Sequence, residues 1–178
     1  TTGRHVAQRA AAGLKEYTLE LGGKNPLIIL ADADIDYAVN AAAFGAFMHQ
    51  GQICMSVGRI VVEKPIVEEF AGKLAEKAAS LPAGDPTVPA TVIGPLINDD
   101  QVQNVDAYVK DAVAAGAKLL AGGTYEGRVY QATVLSNVTR DMRAWQEEIF
   151  GPVAPVLAVG DEKEALEVAN DTTYGLSA

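Results

Sequence analysis

The chain has 178 residues, of which 49% are hydrophobic, and 23 acidic side chains outnumber 14 basic ones to give a formal net charge of −9. This balance, with no Lys/Arg cluster, argues against nucleic acid or an anionic membrane surface as a partner. The apolar runs are far shorter than the roughly 20 residues that span a bilayer, so we expect one compact domain with a small-molecule ligand.

Cysteine and histidine are scarce in this chain. The single Cys cannot form an internal disulfide, and together with two separated His residues it provides no metal-ligand spacing, so the sequence predicts no metal site. Reduced cysteine is typical of the cytoplasm, where we expect the protein to reside. The chain begins with Thr1, carries no signal-peptide pattern and ends without a helix-terminating signal, which indicates a segment cut from a longer polypeptide.

The first half of the chain alternates predicted helices and strands. Alanines at helical spacing indicate helices, β-branched runs indicate strands, and Gly22-Gly23 interrupts the pattern. Three Asp residues near position 34 favour a helix start, because the N-terminal end of a helix attracts negative charge. In chain order we predict a helix over residues 4–14, strands over 17–21 and 25–30, a helix over 35–50, a strand over 59–63 and a helix over 65–80.

The second half continues the alternation after a Pro- and Gly-rich loop at residues 81–95. Its first helix is amphipathic, with Val102, Val105, Val109 and Val113 on one predicted buried face. In chain order we predict a helix over 98–115, a strand over 118–121, an extended segment over 130–138, a short helix over 141–150, a strand over 153–159 and a helix over 161–170 capped by Asp161. The alternation predicts an α/β fold with a largely parallel sheet flanked by helices.

The segment HQGQICMS, residues 49–56, holds the only cysteine, Cys54. A lone cysteine most often packs as a small buried hydrophobe. Here Gly51 ends the preceding predicted helix and Cys54 follows on a turn, which can present sulfur to a pocket. An unperturbed thiol is only slightly ionised at neutral pH, so a nucleophilic Cys54 needs local assistance. Both interpretations stay open on these residues alone.

Two further segments place carboxylates beside glycine. Glu20 precedes Gly22-Gly23, where the alternation allows it to be a surface carboxylate or to point into a cleft and accept a proton from water or a thiol. The run EEIFGP, residues 147–152, is expected at a helix end, where adjacent glutamates usually face solvent. A carboxylate there can also accept the hydrogen bonds of a ribose diol, and Phe150 can flank a flat ring.

Taken together, three stretches in this order and spacing resemble the aldehyde dehydrogenase superfamily. They are LELGGKNP at residues 19–26, GQIC at 51–54 and EEIFGP at 147–152. The resemblance covers the whole chain, because residues 2–4 are similar to the end of the family's GSTxxGR segment and residues 170–178 to its NxxxYGLSA segment.

The resemblance implies a role for each candidate residue. Cys54 would attack the aldehyde and form a thiohemiacetal, which becomes a thioester when hydride leaves. Glu20 would act as the general base that activates the hydrolytic water. Glu148 would bind the nicotinamide ribose of NAD or NADP, Phe150 would flank the nicotinamide, and the Leu21 backbone would approach its carboxamide.

The resemblance also implies the domain organisation. It indicates the family's catalytic-domain type of α/β fold, truncated at both ends, with residues 1–22 as the tail of the dinucleotide-binding domain and 23–178 as an incomplete catalytic domain. The family's second oxyanion donor, an asparagine, belongs to an earlier segment. We therefore expect the isolated piece to be inactive and the full-length parent to be the dehydrogenase and a homo-oligomer.

The substrate expectation is an aromatic aldehyde. The base-bearing ELGGK motif implies water as the acyl acceptor, Ile53 and Met55 suit an apolar aldehyde, and the GQICMS and GLKEYTLELGGKNP runs resemble the benzaldehyde and vanillin dehydrogenase branch. Succinate semialdehyde is the alternative substrate, although it ordinarily calls for a basic residue near the pocket mouth. The alternative from another class is a non-catalytic α/β scaffold in which Cys54 is merely packed.

Overall fold

A computed structural model describes residues 2–178 and contains one main sheet. The strands are β1 (Asn25–Ile29), β2 (Val57–Glu63), β3 (Lys118–Ala121), β4 (Tyr125–Glu126), β5 (Val129–Tyr130), β6 (Thr133–Ser136) and β7 (Val153–Val159). Five of them form the main sheet in the order β1-β2-β7-β6-β3, and β4 and β5 form a separate hairpin. The first four strands in that order are mutually parallel and β3 is antiparallel to β6, so the predicted largely parallel α/β sheet is confirmed.

The helices are α1 (Thr2–Ala12), α2 (Ile35–Phe47), α3 (Val67–Ala79), α4 (Asp99–Ala114), α5 (Arg143–Gln146) and α6 (Glu162–Asn170). Three of them begin at an acidic or amide side chain that accepts a hydrogen bond from the N–H three residues later, at Asp34, Asn98 and Asp161. These caps explain why the starts of α2, α4 and α6 follow from the sequence. Within residues 2–178, no helix combines the length and apolar character needed to cross a bilayer.

Helices cover both faces of the sheet. On one face, α2 and α3 pack over a cluster that includes Ile60 and Val62, and on the other, α4, α5 and α6 pack over a cluster that includes Val61. Successive side chains of a strand point to opposite faces, so the centre of β2 contributes to both layers. This two-sided burial is the reason that the centre of β2, residues 60–62, is continuously apolar rather than alternating.

The strand predicted over residues 17–21 is wrong, because this segment is irregular. Tyr17 and Leu21 are 51% and 53% exposed. A strand needs a neighbour for its backbone N–H and C=O groups, and no strand within residues 2–178 pairs with this segment. Alternating apolar residues specify two faces but do not supply a pairing partner.

Two predicted helices end earlier than their patterns indicate. The helix predicted over residues 35–50 ends at Phe47, and a 3-10 turn at Met48–Gly51 follows, in which His49 and Gln50 have φ of 49° and 59°. The helix predicted over 141–150 is the single turn α5, and the backbone is extended at Glu147, directly after this turn.

One residue of the predicted buried face of α4 is misassigned. Val102, Val105 and Val109 are buried, whereas Val113 is 42% exposed. At this end of α4 the buried position is the adjacent Ala112, so the buried face continues through Ala112 instead of Val113.

Candidate active site

The three sequence motifs precede three neighbouring strands. Gly22-Gly23 leads into β1, the Cys54 turn leads into β2, and residues 147–152 lead into β7. Because β1, β2 and β7 are adjacent and parallel, their N-terminal ends lie at one edge of the sheet. We call this the N-terminal sheet edge, and segments that are distant along the chain meet there.

Cys54 lies in a tight turn between the 3-10 turn and β2. Within the turn, the Ser56 N–H donates to the Ile53 carbonyl over 3.0 Å. The thiol is free and its residue is half-buried, so Cys54 is not enclosed among core side chains. The turn position predicted for Cys54 is therefore confirmed.

The start of β1 holds the Cys54 turn from one side. Asn25 is buried, and its Nδ2 donates to the carbonyl oxygens of Cys54 and Ser56, each over 2.8 Å. Its Oδ1 accepts a hydrogen bond from Ser177 N over 3.1 Å. Gly23 lies against the same Cys54 carbonyl, so closely that a Cβ at position 23 would collide with the oxygen. Only glycine allows this approach of the two backbones.

Glu20 lies three residues before Gly23 and is exposed. Its segment therefore reaches the Cys54 turn through Gly23, while its carboxylate makes no hydrogen bond to that turn within the described residues. Leu21 is half-exposed, and its side chain packs against Gly3 of α1. The packing is tight, because a Cβ added to Gly3 would lie only 3.0 Å from Leu21 Cδ2.

Glu147 and Glu148 point in different directions. Glu148 is half-buried and its Oε1 accepts a hydrogen bond from Gly23 N over 3.0 Å, a contact that spans 125 residues of sequence. Glu147 is exposed and its Oε2 accepts from Tyr108 Oη over 2.7 Å, a bond that lowers the pKa of the Glu147 carboxyl. The backbone is extended at Glu147, so successive side chains leave on opposite sides. Of the two glutamates, Glu148 is the one that faces the Gly22-Gly23 segment.

Phe150 forms a sharp bend beside the cysteine turn. Its backbone is left-handed, with φ of 55°, and its side chain is 40% exposed. The next residue, Gly151, is buried and its carbonyl lies so close to Gly51 that a Cβ there would collide with it. Gly51 itself has φ of 66°, so this position requires glycine both for its backbone conformation and for the contact.

Two buried cations support the same edge from inside. Lys24 Nζ donates to the Ala144 carbonyl over 2.9 Å. The guanidinium of Arg59 donates to the Lys24 carbonyl over 2.8 Å and to carbonyls at the C-terminal end of α6, and it lies 5.6 Å from the centroid of the Trp145 ring. Burial lowers the pKa of Lys24 to about 7; the Arg59 charge acts in the same direction, and the Glu148 carboxylate opposes it.

The buried ammonium gives a stability prediction. The pKa of Lys24 is about 7 in the fold and 10.5 ordinarily, so between these values the unfolded chain binds the proton that the folded chain has released. Stability should therefore rise with pH across this window, by up to about 1.4 kcal/mol per pH unit. In urea titrations from pH 6 to pH 10, we expect the free energy of unfolding of wild type to rise relative to that of Lys24→Met. Parallel pH profiles would contradict the prediction.

The sequence-based interpretation assigns no role to Asn25, Lys24 or Arg59. A polar residue at the start of a predicted apolar strand carries a usable signal, because a buried polar group must find partners and therefore ties segments together. Asn25 and Lys24 precede the apolar run of β1, and Arg59 precedes that of β2. Among residues 2–178, no group of three or more His, Cys, Asp or Glu side chains is arranged to hold a metal ion.

Comparison with known proteins identifies the family of this chain. The model of the aldehyde dehydrogenase family matches residues 1–178. Salicylaldehyde dehydrogenase of Pseudomonas putida is 48% identical over 177 residues, which are 99% of this chain and 37% of that protein. Benzaldehyde dehydrogenase (NAD(+)) of Pseudomonas putida is 48% identical over 176 residues, which are 99% of this chain and 36% of that protein.

The fold matches a solved structure to the same extent. The crystal structure of a salicylaldehyde dehydrogenase from Pseudomonas putida G7 complexed with salicylaldehyde superposes with a TM-score of 0.93 at 47% identity, over 99% of this chain and 37% of that one. The chain thus spans little more than a third of the length of the relatives it matches. With its matched motifs gathered at one sheet edge, the chain belongs to the aldehyde dehydrogenase family.

Proposed function

We propose that the parent protein of this chain oxidises an aromatic aldehyde to the carboxylic acid with NAD or NADP as the oxidant. The observation that carries the proposal is the meeting of Gly23, Cys54 and Glu148 at the N-terminal sheet edge. A half-buried thiol beside a carboxylate from a distant segment suits covalent aldehyde oxidation, and Glu20 precedes the same Gly22-Gly23 pair in sequence.

The steps assigned to this chain begin at the sulfur of Cys54. Its thiolate adds to the aldehyde carbon, and the negative charge that develops on the former carbonyl oxygen is stabilised by the Cys54 backbone N–H. Loss of hydride leaves a thioester on Cys54. Glu20 then takes a proton from water, the resulting hydroxide attacks the thioester, and the acid and the Cys54 thiolate are released.

The residues around the bend at Phe150 fit a nicotinamide nucleotide. A carboxylate has about four acceptor positions, so Glu148 retains capacity for two ribose hydroxyls after it accepts from Gly23 N. The part-exposed Phe150 ring is available to a flat heterocycle, and the Leu21 backbone precedes the same glycine pair. When bound, the nucleotide supplies the hydride acceptor; the chain supplies its placement.

The substrate class is proposed from the apolar surroundings of Cys54 and from the relatives. Met55, which directly follows Cys54, is 64% exposed, and Ile53 directly precedes Cys54. The named relatives act on salicylaldehyde and benzaldehyde, both of which are aromatic. These features favour an aromatic aldehyde over succinate semialdehyde, whose carboxylate calls for a cation near the pocket mouth.

The test is an aldehyde panel with NAD and NADP on the full-length parent. We expect the highest kcat/KM with benzaldehyde-like substrates and a value at least about tenfold lower with succinate semialdehyde, because a carboxylate loses hydration in an apolar pocket. No reduced nucleotide with any aldehyde would remove the proposal. Alkylation of Cys54 addresses the scaffold alternative: a pocket thiol reacts in the native state and is protected by NAD, whereas a packed thiol reacts only on unfolding.

The 178-residue chain by itself should be nearly inactive. In the proposed scheme this chain supplies one donor to the oxyanion, the Cys54 N–H, and only part of the nucleotide site. Each missing oxyanion donor typically costs about 10²–10³ in rate. We expect weak NAD binding and turnover below about 1% of that of the parent, measured as reduced nucleotide formed with benzaldehyde under identical conditions. Turnover by the isolated chain that approaches the parental rate would contradict this expectation.

Three further expectations stay predictions. They are the division of the chain into residues 1–22 and 23–178, assembly of the parent into a homo-oligomer, and location in the cytoplasm. Size-exclusion chromatography with light scattering on the parent measures the second of these directly.

A further inference from the structure

The Asn25 side chain joins three distant segments of the chain beside the thiol. Its Nδ2 donates to the Cys54 and Ser56 carbonyl oxygens, each over 2.8 Å, and its Oδ1 accepts from Ser177 N over 3.1 Å. Asn25 is only 3% exposed, so water does not substitute for these partners. A side-chain amide has two N–H donors, and both of them are used on the cysteine turn.

The Ser177 N–H determines which way the Asn25 amide faces. If the amide were rotated by 180°, its oxygen would face two carbonyl oxygens and its N–H groups would face the Ser177 N–H. That orientation leaves buried donors and acceptors unpaired and is strongly disfavoured. Gly23 lies against the same amide, since a Cβ at position 23 would stand 2.8 Å from Asn25 Oδ1. The Asn25 amide therefore has one favourable orientation.

Both peptide groups that flank the Cys54 Cα are held by hydrogen bonds. The preceding peptide is held through the Ile53 carbonyl, which accepts from Ser56 N over 3.0 Å. The following peptide is held through the Cys54 carbonyl, which accepts from Asn25 Nδ2. Because peptide groups are planar, holding both of them fixes φ and ψ at Cys54, and with them the directions of its Cα–Cβ bond and its N–H. Of these two hydrogen bonds, only the one from Asn25 comes from outside the turn.

We propose that Asn25 is a positioning residue that acts through Cys54, by holding the turn so that the thiolate and the Cys54 N–H meet the same aldehyde carbonyl. The inference rests on the proposed function, because it takes Cys54 as the nucleophile and its N–H as an oxyanion donor. It goes further in two respects. The Asn25 side chain contributes to the rate of the covalent step, and the Ser177 backbone, 123 positions after Cys54, contributes by orienting that side chain.

The test uses two variants of the full-length parent. Asn25→Leu keeps a similar side-chain size and removes both donors, and Asn25→Ser is milder because its hydroxyl retains one donor. The control is Gln103→Leu, which removes a side-chain amide from an exposed residue that bonds only the Tyr125 hydroxyl within residues 2–178. The readouts are the rate of the burst of reduced nucleotide with saturating benzaldehyde, the Kd of NADH, and the rate of Cys54 alkylation by iodoacetamide.

We expect the burst rate to fall about 10²-fold in Asn25→Leu and about tenfold in Asn25→Ser, because a displacement of a reacting group by about 1 Å costs about 10² in rate. The Kd of NADH should stay within about twofold of wild type, since the Glu148 bond to Gly23 does not involve the Asn25 side chain. Alkylation should stay within about threefold, because iodoacetamide approaches the thiolate from any open direction, whereas a bound aldehyde does not. Gln103→Leu should match wild type in each readout.

A purely structural role for Asn25 gives a different pattern. Loosening of the whole sheet edge would weaken NADH binding and accelerate alkylation together with any loss of the burst, and this result overturns the inference alone. A burst rate within about threefold of wild type in both Asn25 variants does the same.

The milder variant covers the case in which Asn25→Leu does not fold. Asn25→Ser is then judged by the same three readouts, and failure of both variants to fold assigns Asn25 to stability and overturns the inference. A wild-type parent that forms no reduced nucleotide with any aldehyde overturns the proposed function and this inference with it.

Discussion

Cys54→Ala in the full-length parent should abolish both the initial burst of reduced nucleotide and the steady-state turnover. The alanine has no atom that can bond to the aldehyde carbon, so the covalent route is closed at its first step. Removal of a catalytic nucleophile typically lowers kcat by about 10⁴–10⁶. Stopped-flow absorbance of the reduced nucleotide, with benzaldehyde as substrate, measures both phases.

The control for this variant lies on the same turn. Ser56→Ala removes a buried hydroxyl that has no hydrogen-bond partner within the described residues, and it leaves intact the backbone bonds of Ser56 to Ile53 and Asn25. We expect near-wild-type kinetics from Ser56→Ala and an unchanged Kd of NADH from both variants. Retention of a burst in Cys54→Ala would show that a group other than Cys54 is the nucleophile that binds the aldehyde.

Glu20→Gln should separate the two halves of the reaction. The thiol can still add to the aldehyde and lose hydride, so a burst equivalent to one active site should remain. Hydrolysis of the thioester should slow by about 10²–10⁴, because the amide cannot take the proton from water. Stopped-flow traces with a full burst and a depressed steady state are the expected result.

A stronger nucleophile provides an internal check on Glu20. Hydroxylamine attacks thioesters without a general base, so when it is added to the acylated Glu20→Gln enzyme it should release the acyl group as the hydroxamate much faster than water does. Free benzaldehyde is removed first, because hydroxylamine also converts the aldehyde to an oxime. Glu16→Gln serves as the matched control, since Glu16 is an exposed carboxylate on the same irregular segment. If Glu20→Gln and Glu16→Gln have equal steady-state rates, Glu20 is not the base and its exposed position is that of a surface carboxylate.

Both catalytic predictions depend on the proximity of residues that come from different segments of the chain. Gly23 touches the Cys54 carbonyl, and Glu148 bonds to Gly23, yet these residues come from three separate parts of the chain. In the structure the relation arises because three parallel strands enter the sheet side by side. Reactive groups of open α/β sheets are usually found at the carboxyl ends of strands, whereas here the motifs precede the strands.

Local sequence signals determined much of the secondary structure. The cap residues Asp34, Asn98 and Asp161 fix where three helices begin, because each side chain satisfies a backbone N–H of its own helix. The apolar run of β7 is observed with the predicted bounds, Val153–Val159. These features depend on neighbours within a few residues, so no tertiary information is needed to predict them.

Signals that require a distant partner were misleading. The alternation at residues 17–21 predicted a strand, but the structure provides no neighbour for it. The pattern over 141–150 predicted a helix that continues through Glu148, but the helix ends at Gln146. The hydrogen bonds of Glu148 to Gly23 and of Gln101 to Phe150 hold the following residues in a non-helical bend. Long-range hydrogen bonds of this kind override helix propensity, which amounts to less than about 1 kcal/mol per residue.

The sequence by itself determined the α/β class, the candidate thiol and the candidate carboxylates, because these depend only on residue type and on spacing between near neighbours along the chain. Only the tertiary structure decided that β7 pairs with β2 and so brings Glu148 and Phe150 to Cys54. It also decided that Glu148 rather than Glu147 turns toward the glycine pair. The physical reason is that strand order and backbone bends are set by contacts across the whole core, to which residues more than a hundred positions apart contribute together.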